Sequence, residues 1–109
     1  MSELPKPPPT FNAFTGRYPR LAEAWQRIAE EGREGPLDAE TARLVKLGIA
    51  IGAMREGSVH SSVRKAHARG ISPEAMEQVV ALAAGTIGLP SAVAVWTWIH
   101  DELAKTETS

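Results

Sequence analysis

The sequence contains no cysteine. That absence removes disulfides, thiolate metal ligands and redox dithiols together, so chemistry that needs a sulfur nucleophile is excluded for this chain. Histidines number only three, and a histidine-rich metal centre would need nearly all of them in one place. An excess of charge of one sign is missing too. Twelve Lys and Arg stand against thirteen Asp and Glu, scattered among one another, for a net charge of -1. Such a balance gives no electrostatic case for nucleic acid or an anionic membrane as partner. Leu44 to Met54 is almost wholly apolar, with only Lys46 charged, but it is too short to span a bilayer. Met1 to Thr10 is polar and proline-rich rather than a leader, so the expected compartment is the cytoplasm. Strand signals are also lacking, with no run of period two and no hairpin turn.

What is there is helical. The 109 residues suit one domain with a real hydrophobic core. Residues 1–17 hold four of the eight prolines and predict an extended N-terminal arm, on which Phe11 and Phe14 can dock against the body or a neighbouring subunit. The helical domain is expected over 18–105, with about five helices, and residues 106–109 form a solvated tail. A first helix is predicted from Pro19 to about Glu31, with Leu21, Ala24, Trp25 and Ile28 on one stripe. Asp38 caps the second, which turns apolar on every side after Arg43. Its Gly48 and Gly52 predict a closely crossing neighbour, since glycine weakens a helix interior. The third helix, about 56–68, is polar and ends at Gly70 as a left-handed cap. Ser72 caps the fourth, a tight corner follows at Gly85 to Pro90, and the last helix runs to Leu103 or Lys105. Ala92, Val95, Trp96, Ile99 and Leu103 mark one face of that helix, while Val93 and Trp98 lie off it. This surplus of apolar surface predicts a subunit interface.

The polar third helix carries the candidate chemistry. Glu56, His60 and Arg64 are spaced i, i+4, i+8, with His67 seven residues beyond His60, so all four lie near one face. A carboxylate one turn before an imidazole can orient it as a general acid or base, and an arginine one turn beyond can hold a substrate carboxylate in its planar fork. The plain alternative is a solvated face laced by i, i+4 pairs worth about 0.2–0.5 kcal/mol each. That alternative suits His67, near a surface end, better than His60, which Val59 and Val63 flank. Ser58, Ser61 and Ser62 cluster nearby, although adjacency in sequence does not align a nucleophile with its base. His60 and His67 stand two turns apart, against metal ligation. His100, near the end of the last helix, reads as a partner of the helix dipole.

The segments LDAETARLVKLGIAIGA, HSSVRKAHARGISPEAMEQVV and GTIGLPSAVAVWTWI, in this order, resemble the carboxymuconolactone decarboxylase family, which includes the alkylhydroperoxidase AhpD-like proteins. The resemblance covers about residues 19–103. It implies an all-α, AhpD-like domain that assembles as a homo-oligomer, a trimer or hexamer, with sites near subunit contacts. In the peroxidase branch it implies a CxxC dithiol, a histidine and an upstream glutamate, and these align here with Arg55 and Ser58, Ser62, and Arg43. Dithiol peroxidase activity is therefore impossible for this chain. The decarboxylase branch implies cofactor-free chemistry on a small carboxylated lactone. The leading expectation is acid/base chemistry on a small oxo-acid or lactone with no cofactor and no metal. In it His60 is the acid/base, Glu56 its orienter, and Ser58, Ser62 and Arg64 bind the small-molecule substrate. The alternative is a catalytically silent oligomeric scaffold or ligand-binding module.

Overall fold

A computed structural model describes residues 9–108. Among them are six helices and no strand: α1 (Pro9–Arg17), α2 (Pro19–Arg33), α3 (Ala39–Gly52), α4 (Glu56–Ala68), α5 (Pro73–Ile87) and α6 (Leu89–Thr108). The all-α expectation holds, with one helix more than about five.

The extra helix is α1, in the segment expected to be extended. The segment's prolines all lie at or before Pro9, which opens the helix where a missing N–H costs nothing, and the run after it is free of proline. Residues 1–8 of the expected arm lie outside the described residues. Phe11 and Phe14 remain largely exposed, with Phe14 against Tyr18 at a ring separation of 5.2 Å. At the other end α6 continues through Thr108, past the expected stop.

Local chemistry sets the remaining boundaries. Asp38 accepts the Thr41 amide at 2.7 Å, a bond that holds its carboxyl below the ordinary value, and Ser72 accepts the Ala75 amide at 3.1 Å. α3 and α4 end in the same way. The amide two residues past the cap returns to the helix: Arg55 to the Ala50 carbonyl at 3.2 Å, and Ile71 to that of Ala66 at 3.1 Å. Gly70 supplies the left-handed residue of the second turn (φ 80°), whereas Met54 supplies it in the first (φ 54°), where a side chain makes that conformation costly.

Helices α3 to α6 form the bundle, α4 packing on α3 and α6, and α5 on the same two. Leu47, Ile51, Val59, Val63, Met76, Val95 and Ile99 are completely buried between them. α3 buries one face rather than all sides, since Val45 and Ile49 are exposed. Gly48 lies against α5, where an added Cβ would meet Val79 at an ordinary 3.6 Å, while Gly52 has open space. Close crossing is thus confined to Gly48, and even there a methyl group fits. Gly48→Ala is expected to stabilise the protein by about 0.5–1 kcal/mol through helix propensity, read from the urea midpoint.

α1 and α2 pack on each other, and neither buries a residue. The predicted stripe of α2 is real, yet Leu21, Trp25 and Ile28 are each more than half exposed.

Candidate functional site

The centre of the polar chemistry is a carboxylate from α6 that reaches α4. Glu102 has a side chain only 5 % exposed and accepts from His60 Nδ1 at 2.8 Å and from the Arg64 guanidinium at 3.3 Å. With Glu102 ionised, Nδ1 carries the proton it donates, which leaves Nε2 as the ring's free face. Nε2 lies 3.5 Å from Glu56 Oε2, and Glu56 is mostly in water. His60 is itself largely buried, at 16 % side-chain exposure, so the ring is fixed on its inner edge and approachable past Glu56.

The predicted trio Glu56, His60 and Arg64 is therefore brought together, with altered roles. The carboxylate that grips the imidazole is Glu102, and Arg64 shares it. Glu102 was missed although its position gave a signal. Val95, Ile99 and Glu102 recur on one face of α6, and an acid in a core stripe needs a partner when the helix packs.

Ser58 and Ser62 do not join this cluster. They precede and follow His60 by two residues, about 200° around the helix, with Ser58 exposed and Ser62 half-buried. His67 is exposed. His100 is no terminal dipole partner: α6 continues beyond it, its Nε2 meets Glu77 Oε2 of α5 at 2.8 Å, and its ring lies 4.0 Å from that of Trp96.

A groove of about 420 Å³ opens between α5 and α6, lined by Val80, Ala84, Leu89, Ala92, Val93 and Trp96, with Glu77 at its edge. His60 does not line it. Among the described residues no three His, Asp or Glu side chains are grouped as a metal would require, and no helix is long and apolar enough to cross a membrane.

Cations crowd the opposite side of α4. Burial, then Arg43, Lys46, Arg64 and Arg33, hold the Lys65 amine below the ordinary lysine value, and burial with Arg43 and Arg33 does the same for Lys46. The linkage has a definite sign. In the window between these lowered values and the ordinary one, the unfolded chain binds more protons than the folded one, so stability rises with pH there. Urea midpoints measured as the pH rises toward the ordinary lysine value are expected to carry this rising contribution, and Lys65→Gln to reduce it.

Fold and site together define an all-α bundle with a carboxylate–histidine pair clamped between two of its helices. The sequence profile of the carboxymuconolactone decarboxylase family matches residues 19–101, and the chain belongs to that family. No curated protein and no solved structure matches it.

Proposed function

We propose that this protein performs cofactor-free acid/base chemistry on a small carboxylated oxo-acid or lactone, with His60 as the proton carrier, as a cytoplasmic homo-oligomer. The observation that supports this reading best is the grip of buried Glu102 on His60 Nδ1. It fixes the tautomer and aims Nε2 outward, the arrangement a general base needs. Nε2 takes a proton from a carbon beside a substrate carbonyl, and the imidazolium that forms sits between Glu102 and Glu56. The same nitrogen returns the proton in the reverse sense. Family membership supports the substrate class by analogy.

A homo-oligomer, trimer or hexamer, is supported by the apolar side chains left exposed on α2 and along the α5–α6 groove.

The second reading is a silent scaffold, and one observation favours it. His60 does not line the groove, and Glu102 accepts from both His60 and Arg64, so the cluster also serves as a clamp between α4 and α6. A thermal-shift screen of mono- and dicarboxylates and lactones, on wild type and His60→Ala together, separates the two. A ligand at a hundred times its dissociation constant raises apparent stability by about 2.7 kcal/mol. A shift seen in wild type and lost in the variant supports the enzyme; silence across the panel from a stable oligomer supports the scaffold.

A further inference from the structure

Lysines and arginines that are dispersed along the sequence converge in the fold. Arg43 and Lys46 stand one turn apart on α3, Lys65 lies in the last turn of α4 with Arg69 at its C-cap, and Arg33 closes α2. α3 and α4 pack directly on each other. Arg43 and Lys65 are half-buried there rather than spread into solvent. Among the described residues, none of the five has an acidic partner within 4 Å; the ion pairs of the bundle are made by His60, Arg64 and His100. Five of the chain's twelve cations thus share one face without a counter-charge, in a protein whose net charge is -1.

That arrangement is unfavourable by itself. Desolvation and mutual repulsion depress the proton affinity of Arg43, Lys46 and Lys65 alike, with no acid opposing it. Ser62 stands one turn before Lys65 on the same side of α4 and adds a hydroxyl donor. A planar guanidinium, a flexible ammonium and a hydroxyl make a donor set that holds carboxylate or phosphate oxygens.

We propose that the α3–α4 face is a binding site for a small polyanion bearing carboxylate or phosphate groups, held by Arg43 and Lys65 and surrounded by Lys46, Arg69 and Arg33. A nucleic acid is the poorer occupant, since acidic residues balance the cations over the rest of the chain. The site lies on the side of α4 turned away from His60, so it does not depend on the acid/base reading and is a second ligand site whichever way that reading is decided.

The test is calorimetric titration of the full chain with succinate, citrate, inorganic phosphate and pyrophosphate at one ionic strength set with chloride. Wild type, Lys65→Gln and Arg43→Gln are compared, and melting is measured in anion-free buffer. The expected result is binding of at least one probe by wild type, weakened tenfold or more in each variant, with the carboxylate and phosphate arms naming the chemistry. Each variant is also expected to melt above wild type in the absence of the anion, because it relieves the crowding; a purely structural role for these residues predicts the opposite. Three results overturn the proposal. One is that no probe binds wild type more tightly than chloride does. Another is that the variants melt lower and bind the probes unchanged. The third is that either variant changes the size of the assembly, which would mean that acidic groups of a second copy fill the face.

Discussion

Glu102→Ala is expected to destabilise the fold by about 3–5 kcal/mol, the usual effect of removing one partner from a buried charge pair. The change leaves the Arg64 guanidinium and the largely buried His60 Nδ1–H without the acceptor they share. Urea denaturation of the four members of a cycle, wild type, Glu102→Ala, His60→Ala and the double variant, measures how strongly the two residues are coupled. The double variant should lose less than the two single losses combined, because neighbours that share a bond are not additive. A loss below about 1 kcal/mol for Glu102→Ala would show the cluster to be solvated and remove its claim to fix the histidine. His60→Ala alone is expected to keep the bundle and abolish turnover of any lactone or oxo-acid found by the screen. Undiminished activity would take His60 out of the chemistry. Glu102→Gln is the informative intermediate: it keeps the shape and an oxygen for Nδ1–H, but withdraws the charge that answers the imidazolium, so it should lower turnover more than it lowers stability.

The second large effect concerns assembly. Leu21, Trp25 and Ile28 on α2, with Phe14 and Tyr18 before them, are each about half exposed or more, and exposed apolar side chains gathered in this way mark an interaction surface. Leu89, Val93 and Trp96 present a second such surface at the groove. Wild-type protein is expected to sediment as a trimer or hexamer, and Trp25→Glu or Val93→Glu to release monomers in which α3 to α6 remain folded. A buried aromatic at the centre of an interface is worth roughly 2 kcal/mol or more on truncation, and an introduced charge costs more. A monomeric wild type at all accessible concentrations would end this reading. An unchanged oligomer in both variants would move the contact to other surfaces, such as the exposed Val45 and Ile49 of α3.

Helix positions were legible because they depend on local chemistry that the sequence prints. Asp38 and Ser72 cap where their side chains can reach the next turn, and Gly70 stops α4 where a left-handed residue is needed. The α1 helix was hidden by averaging: four prolines over sixteen residues look prohibitive until they are seen to lie at one end. Met54 was hidden for the opposite reason, since nothing in a methionine signals a left-handed turn. Of the site, the part on one helix could be read, as Glu56, His60 and Arg64 share a face by spacing alone. Glu102 is 42 residues from His60, and only the packing of α6 on α4 makes them neighbours. The cation cluster shows the same limit. Arg33, Arg43, Lys46, Lys65 and Arg69 look evenly dispersed when charge is counted along the chain, and they become a patch only once three helices are folded.

No residue of α1 or α2 is fully buried within the chain, and helices of 9 and 15 residues with so little covered surface are marginal in water. In the proposed homo-oligomer a second copy covers that face, and the order of the two helices then depends on concentration as well as on sequence. Diluting the protein through its association range should lower the far-ultraviolet helical signal in proportion to the hairpin, while the near-ultraviolet signal of the half-buried Trp98 on α6 stays in place. In the cell the same coupling would make the first third of the chain report how many copies are present, folding as they accumulate and becoming a target for proteases when they are scarce.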